Sequence, residues 1–183
     1  MKSPGLLKVR PATPADVPTI LRFIRDLAEY ERALDQVLAT EADLLRDGFA
    51  LAPDGTPLNP APPPRFRTLI ADWRDGENAP EPAGFALFFT SYSTWVGHHG
   101  IRLEDVYVTP ARRGQGIGKA LIAAVAQIAV AEGCTRLEWD VLTWNEPAIA
   151  VYRRLGATTQ EEWRIMRLSG DALRSLADVC DRL

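Results

Sequence analysis

The most distinctive chemistry in the sequence lies in a short glycine-rich stretch in the second half of the chain. Positions 113–119 read Arg-Gly-Gln-Gly-Ile-Gly-Lys and lead directly into a run with helical periodicity. Because glycine has no Cβ, several backbone N–H groups can converge on one point, and a helix N-terminus adds partial positive charge. Arg113 and Lys119 add full positive charges. The stretch therefore predicts an anion site that suits a pyrophosphate.

Two common phosphate-binding motifs do not fit this stretch. A Walker loop needs Gly six residues before Lys119, where the chain has Arg113, and Ser or Thr at the position of Ala120. A dinucleotide fingerprint needs a third glycine where the chain has Lys119. The pattern that remains is R-x-x-G-x-G. One alternative stays open, namely that the glycines only build a tight turn between a strand and a helix.

The composition of the whole chain is that of a folded domain. The 183 residues are 46% hydrophobic and 25% charged, which excludes a disordered chain, a collagen-like repeat and a coiled coil. A net charge of -3 offers no basic surplus for a nucleic-acid partner and suits a cationic substrate. We expect one domain over residues 1–183.

Cysteine usage and hydropathy predict a reduced, cytoplasmic protein. Cys134 and Cys180 are too few for the disulfide framework of a small secreted domain. Residues 1–10 have no long apolar core, so no signal peptide is predicted, and no apolar run approaches the roughly 18 residues that cross a membrane. The adjacent His98 and His99 are the chain's two histidines, which favours a loop role over a metal site.

Hydrophobic periodicity and capping residues predict the element order β-α-α-β-β-β-α-β-α-β-α. The expected strands are 6–10, 65–73, 84–92, 102–109, 136–142 and 162–168, with the second and third forming an antiparallel hairpin. The expected helices are 13–30, 40–48, 117–133, 145–155 and 171–183. The segment 52–64 holds six prolines and one glycine in thirteen residues, so we expect a mobile surface loop there.

Several runs together resemble the GNAT-fold N-acetyltransferases, in particular the diamine and thialysine acetyltransferases, the group that includes the spermidine/spermine acetyltransferases. The matching runs are residues 9–13, 41–49, 103–105, 113–118, 144–149 and 152–157, with Trp163. The glycine pattern marks the superfamily, whereas the W-N-E-P-A-I run is more specific to this group. The resemblance implies an α/β (α+β) fold with a mixed, mostly antiparallel central sheet and helices on both faces. It also implies acetyl-CoA as co-substrate, no metal, and the primary amine of a small cationic molecule as acceptor.

The resemblance places coenzyme A on the glycine-rich stretch and on the strand before it. In this fold that strand diverges from its neighbour, so its free backbone groups pair with the pantetheine arm and polarise the thioester carbonyl. Asn145 is expected to bind the cofactor, to cap a helix, or both. The expected cofactor contacts are Val106, Tyr107, Val108, Arg113, Gly114, Gln115, Gly116, Ile117, Gly118, Lys119, Asn145, Pro147 and Ala148.

Two residues match catalytic positions of the group. An alkylamine with a pKa of about 10.4 arrives protonated, so a nearby carboxylate must hold it and remove the proton, and Glu104 matches the family's glutamate beside the amine. Tyr152 matches the tyrosine that points at the sulfur, and a phenol with a pKa of about 10 can protonate a thiolate. The alternatives are a solvated Glu104 at a strand edge and a Tyr152 that packs with Ile149 and Leu155.

The resemblance also implies an acidic site for the amine. Residues that match substrate-contacting positions are Tyr30, Glu31, Glu104, Glu161 and Trp163. The match slips by about one residue near Glu161, so either Glu161 or Glu162 faces the substrate. Ser93 stands where polyamine-acetylating relatives carry Asp, which weakens the case for a long polyamine and leaves thialysine-like or other small amines open.

The resemblance further implies direct transfer in a ternary complex, and a homodimer formed partly through the C-terminal strand and helix. Two other functions remain compatible with the sequence. One is a non-catalytic sensor of acyl-CoA, which would need neither Glu104 nor Tyr152. The other is a protein or peptide N-acetyltransferase, which would require an open groove instead of a closed acidic pocket.

Overall fold

The computed structural model describes residues 5–180 of the chain. Within these residues the chain forms two compact units, which divide between Thr143 and Trp144. The expectation of a single domain over residues 1–183 stays a prediction. No helix in the described part of the chain is both long and apolar enough to span a membrane.

The first unit is built on a mixed sheet that has five strands within the described residues. These are β1 (Leu6–Pro11), β2 (Arg67–Arg74), β3 (Glu81–Ser93), β4 (His98–Val108) and β5 (Leu137–Glu138). The strands lie in chain order, each antiparallel to the next except β4 and β5, which are parallel. The helices are α1 (Val17–Tyr30), α2 (Glu41–Phe49) and α3 (Ile117–Ala131). The predicted sheet type and the β2–β3 hairpin are confirmed.

Helices cover both faces of the sheet. On one face the fully buried Phe23 of α1 stacks with its ring centroid 5.7 Å from Phe85 and 5.5 Å from Tyr107. Adjacent residues of a strand point to opposite faces, so Gly84, which precedes Phe85, lies on the other face of the sheet. There, Leu121 of α3 lies 3.5 Å from the position that a Cβ on Gly84 would take. A Cβ on Gly84 would also lie only 2.5 Å from the Tyr107 carbonyl oxygen, so the glycine permits the close approach of β3 and β4.

The two predicted helix starts near the N-terminus are confirmed. Asp16 Oδ2 accepts a hydrogen bond from Thr13 N at 2.8 Å, and Asp43 Oδ2 accepts one from Thr40 N at 3.0 Å. The first turn before α1, Pro14–Asp16, is a 3-10 helix. Both acidic residues satisfy backbone donors that have no partner inside the helix.

An ion-pair cluster ties the start of α1 to the sheet. Arg10 of β1 donates to Asp16 at 2.8 Å and to Asp72 of β2 at 2.6 Å. The Arg10 guanidinium lowers the pKa of Asp16 to about 2. All three side chains are less than a third exposed, so water screens these pairs less than it screens pairs on an open surface.

The second unit contains α4 (Glu146–Arg154) and α5 (Gly170–Cys180). Asn145 caps α4 by accepting a hydrogen bond from Ala148 N at 3.4 Å, and Pro147 occupies the first turn. Gly156 follows the helix with a φ of 91°, a left-handed conformation that commonly ends helices. Residues 181–183 of the last predicted helix lie outside the described residues.

Two strand predictions in the C-terminal half need correction. The segment 162–168 is not a strand in the described structure, and its side chains are exposed, including Trp163 and Ile165. A strand requires a backbone partner, and an alternating pattern does not supply one. The segment 136–142 shortens to β5 because its parallel pairing with β4 covers only Leu137 and Glu138.

The proline-rich segment 52–64 connects α2 to β2 across the surface, as predicted. Its start is held by a turn in which Ala52 N donates to Thr56 O at 2.8 Å, and Leu51 pairs with Pro57 in an isolated bridge. Most of its residues are exposed. The mobility of this loop stays a prediction.

Candidate functional site

Strand β4 contains an irregularity at its predicted catalytic residue. Asp105 lies opposite Leu87 of β3 and Leu103 lies opposite Phe88, so Glu104 is an extra residue in a β-bulge. Residues directly opposite each other in neighbouring strands share a face. The bulge therefore turns Asp105 to the face of Leu87, which packs in the core with α1, whereas Leu103 points to the other face.

The edge of β4 towards β5 is paired over a short length. The register joins only Ile101 to Leu137 and Arg102 to Glu138, and no other described strand continues the ladder along residues 103–108. This agrees with the divergence implied by the resemblance. The roles of Val106, Tyr107 and Val108 in holding a pantetheine arm stay predictions.

The glycine-rich stretch forms the predicted strand–turn–helix. Gly114 and Gly116 have φ values of 76° and 82°, a region that other residues rarely adopt, and Gly116 directly precedes α3. A Cβ at either position would meet no atom within 4 Å, so the turn faces open space. Gly118 has no such backbone requirement, and a Cβ there would lie an ordinary 3.7 Å from Val108. A tight turn alone therefore explains two of the glycines but not Gly118.

The groups around this turn fit a diphosphate ligand. The first N–H groups of α3, from Ile117, Gly118 and Lys119, have no acceptor within the helix, and the helix dipole adds positive charge there. Lys119 and Gln115 are exposed beside them. These donors, with the bare backbone of Gly114 and Gly116, are the ones expected to hold coenzyme A.

Arg112 and Arg113 extend from the same turn to different partners. Arg112 donates to Asp75 at 2.6 Å and to Glu81 at 2.7 Å, and its guanidinium lies 5.6 Å from the centroid of Trp73. Arg112 therefore ties the turn to the β2–β3 hairpin.

Arg113 reaches towards α1 instead. Its Nε donates to the Val108 carbonyl at 3.1 Å, and its guanidinium lies 4.9 Å from the ring centroid of Tyr30 and 5.9 Å from that of Tyr107. The Tyr107 hydroxyl in turn donates to Asp26 Oδ2 at 3.4 Å. The predicted cofactor ligand Arg113 thus contacts an aromatic pair next to the predicted amine site.

Three carboxylates, those of Glu31, Glu104 and Asp105, interact electrostatically near the end of α1 and the bulge. Burial raises the pKa of Asp105 to about 7, with further contributions from the negative charges of Glu104 and Glu31. Desolvation also raises the pKa of Glu31. Carboxylates whose charges act on one another attract a cation, and the buried one among them can accept a proton near neutral pH.

Asp105 is the functional candidate that the sequence reasoning missed. Asp105 and Tyr107 lie opposite Leu87 and Phe85, so both face α1, and the residue pattern offers no sign of the bulge at Glu104 that precedes them. Register between strands is not encoded in the pattern of one strand, so the sequence offered only the Glu104-Asp105 pair itself as a signal.

Ser93, the departure from the polyamine-acetylating pattern, has a structural role. It is only 6% exposed, and its Oγ accepts a hydrogen bond from Val96 N at 3.4 Å in the β3–β4 turn. Gly97, with a φ of 70°, closes the same turn by donating to the Ser93 carbonyl at 2.8 Å. The position contributes no negative charge.

The remaining predicted site residues lie in the second unit. Tyr152 is half-buried in α4, in the same helix as Pro147 and Ala148. Glu161 and Trp163 are exposed and lie outside helices and strands. The cap by Asn145 is confirmed, whereas the cofactor, catalytic and substrate roles of these residues stay predictions.

The adjacent histidines lie in a strand, which corrects the expected loop. His98 and His99 begin β4, and His99 Nε2 donates to the Glu132 carbonyl at 2.9 Å. Within residues 5–180 no group of three or more His, Cys, Asp or Glu side chains could hold a metal ion.

Comparison with known proteins places this geometry among acetyltransferases. A model of the Acetyltransferase (GNAT) family matches residues 35–157. The chain is 41% identical over 179 residues to a thialysine N-epsilon-acetyltransferase of Bos taurus, covering 94% of this chain and 98% of that protein. It is 34% identical over 202 residues to an L-ornithine N5-acetyltransferase of Arabidopsis thaliana, covering 92% and 87%.

Solved structures share the fold at lower identity. An integron cassette protein from the mobile metagenome of V. cholerae matches with a TM-score of 0.69 and 22% identity, covering 93% of this chain and 97% of that one. An aminoglycoside acetyltransferase from an uncultured soil metagenomic sample matches with a TM-score of 0.66 and 20% identity, covering 90% and 99%.

Proposed function

Because the chain belongs to the GNAT acetyltransferase family, we propose that it transfers the acetyl group of acetyl-CoA to the primary amine of a small cationic substrate. The observation that carries the proposal is the carboxylate cluster of Glu31, Glu104 and Asp105 in the unit that also carries the glycine-rich turn. An acidic site attracts an ammonium group, and the turn suits the diphosphate of the acetyl carrier.

The proposed substrate is a short amine instead of a long polyamine. The relatives named for thialysine and ornithine act on small molecules that carry an amine on a short chain. Ser93 supports the same choice, because a buried hydroxyl that caps a turn offers no charge to a second or third ammonium group. A longer polyamine would lack one of its expected carboxylate contacts.

In the proposed mechanism the acidic cluster prepares the amine. Glu104 and Glu31 hold the ammonium group, and Asp105 accepts its proton, since a carboxylate with a pKa near 7 is a stronger base than an ordinary one. Proton removal exposes the nitrogen lone pair. The neutral amine then attacks directly, in a ternary complex and without an acyl-enzyme.

The remaining residues hold the co-substrate and complete the proton balance. Acetyl-CoA supplies an acetyl group activated as a thioester. The amides of residues 114–119 hold its diphosphate, and the backbone of residues 106–108 holds its arm and donates an N–H to the carbonyl oxygen. Asn145, Pro147 and Ala148 line the reactive end, and the Tyr152 hydroxyl gives a proton to the sulfur as the C–S bond breaks. The nitrogen is cationic after its attack on the carbonyl carbon and loses its second proton to solvent, from which Tyr152 regains a proton.

The proposal is tested by a panel of amines assayed with acetyl-CoA for release of free thiol and for the mass of the acetylated product. We expect turnover with thialysine, lysine or ornithine at a kcat/KM at least about tenfold above that for spermidine, because Ser93 carries no charge. Turnover that is fastest with spermidine would reject the short-amine assignment. Absence of turnover with every amine would reject the function.

A homodimer is part of the proposal. Its support is a set of exposed apolar side chains in the second unit, which a monomer would leave in water: Trp163, Ile165, Met166, Leu168, Leu173, Leu176 and Val179. Light scattering after size exclusion should give twice the mass of the chain at micromolar concentration. A mass of about 20.2 kDa throughout that range would reject the dimer. The proposed compartment is the cytoplasm, supported by the low cysteine content.

A further inference from the structure

Two adjacent arginines leave the glycine-rich turn and reach different parts of the first unit. Arg112 binds the carboxylates of Asp75 and Glu81 in the β2–β3 hairpin. Arg113 binds neither, and its guanidinium stacks against Tyr30 at 4.9 Å. Arg112 therefore fixes the glycine-rich turn to the sheet, whereas Arg113 contacts the C-terminal end of α1.

The contacts of Arg113 form a continuous path to the acidic cluster. Its Nε holds the Val108 carbonyl at the end of β4, and its guanidinium faces the rings of Tyr107 and Tyr30. Tyr107 is 5% exposed, and its hydroxyl reaches Asp26 of α1. Tyr30 ends α1 and is followed directly by Glu31, one of the three carboxylates.

We infer that Arg113 is a positioning residue that couples the diphosphate turn to the amine site through Tyr30 and Tyr107. A ligand that fixes the backbone of the turn also fixes the Cα position from which the Arg113 side chain extends. Its stacking then restrains the end of α1, and with it Glu31. Because such coupling is reciprocal, an amine held by Glu31 also stabilises the turn in its binding conformation.

The coupling rests on the proposed function, and a simpler role for Arg113 makes a different prediction. If the guanidinium were only a phosphate ligand, its loss would weaken coenzyme A but leave pantetheine, which has no diphosphate, unaffected. In that case hydrogen exchange in α1 would also be unchanged when coenzyme A binds. The inferred role requires α1 to respond when the turn is occupied.

Hydrogen exchange with coenzyme A as the probe separates these roles. In the wild-type protein, coenzyme A should slow exchange in residues 114–120 and also, by roughly threefold, in residues 24–36, a size expected for a cation–π contact. In R113Q, coenzyme A should still protect residues 114–120 but should no longer protect residues 24–36. R113K keeps the charge and should restore part of that protection.

R112Q is the matched control, since it removes the same charge from the adjacent position. It should keep the protection of residues 24–36, and exchange in β2 and β3 should report whether each variant is folded. Equal protection of residues 24–36 in wild type and R113Q, or none in wild type while residues 114–120 are protected, would overturn the coupling. No protection of residues 114–120 in wild type would instead overturn the proposed function.

A kinetic measurement sharpens the same test. R113Q should raise the KM for the amine by roughly threefold at saturating acetyl-CoA, whereas R112Q should leave it unchanged. A selective loss for coenzyme A, with the amine KM unchanged, would assign Arg113 to the phosphate and reject the coupling.

Discussion

Residues 101–104 of strand β4 alternate apolar and polar side chains, and so do residues 162–165, yet the two stretches lie in different environments. In β4 the apolar residues Ile101 and Leu103 are fully buried, because β3 pairs along the strand and helices cover the sheet. In the segment 162–168, Ile165 is 66% exposed and no strand forms. An alternating pattern thus identifies a face that can be buried, whereas burial itself depends on a partner elsewhere.

The largest expected effect is at the centre of the first unit. Phe23→Ala removes a fully buried ring that stacks on Phe85 and Tyr107, and should lower the free energy of unfolding by about 3–5 kcal/mol. Urea denaturation followed by circular dichroism measures this. A loss below about 1 kcal/mol would show that the α1 face is not the stabilising core.

The next effect concerns catalysis at the bulge. Asp105→Asn keeps the shape of the side chain but removes the proposed base, so kcat/KM for the amine should fall about 100-fold. In the wild type, kcat/KM should rise as the pH passes about 7, since Asp105 must be ionised to accept a proton. The variant should lose this inflection.

Asp54→Asn in the proline-rich loop is the control for that change. Its carboxylate accepts a hydrogen bond from Thr56 N at 3.0 Å, and an asparagine oxygen can do the same. Activity of this variant should match the wild type. An Asp105→Asn enzyme with unchanged kcat/KM would return the role of base to Glu104.

A smaller effect is expected at the ion-pair cluster of β1. The pKa of Asp16 is about 2 in the folded protein and near 3.8 without its partners, so its ionised form stabilises the fold above about pH 4. This contribution, about 2 kcal/mol, should be lost as the pH falls towards 2. Asp16→Asn should be less stable than wild type at pH 7, and the difference should shrink in acid. A difference that is constant with pH would contradict the ion-pair origin.

The smallest effect on stability is expected in the exposed segment. Ile165→Ala should change the free energy of unfolding of the monomer by less than about 0.5 kcal/mol, because the side chain is mostly in water. The dissociation constant of the proposed dimer should rise instead. A stability loss comparable with that of Phe23→Ala would show that Ile165 is buried within its own chain.

The sequence predicted the elements whose signals are local. The caps at Thr13 and Thr40, the β2–β3 hairpin and the turn at Gly114 and Gly116 depend on neighbouring residues, and all are found. The bulge at Glu104 and the missing strand at 162–168 depend on pairing with another strand, which one segment does not determine.

The same difference between local and long-range signals applies to the candidate site. The glycine-rich turn and Glu104 could be proposed from motif and resemblance. Asp105 could not, because its place beside Glu31 depends on the register of β4 and on the end of α1. The different partners of Arg112 and Arg113 could not be predicted either, since two adjacent arginines in a loop do not indicate which groups they contact.

The most direct test of the account is calorimetric titration of the purified protein with coenzyme A, in the wild type and in Gly116→Val. The account predicts saturable binding to the wild type and a loss of at least about tenfold in affinity in the variant, because valine is strained at a φ of 82° and fills the open space of the turn. Absence of binding heat in the folded wild type, over several temperatures, would contradict it.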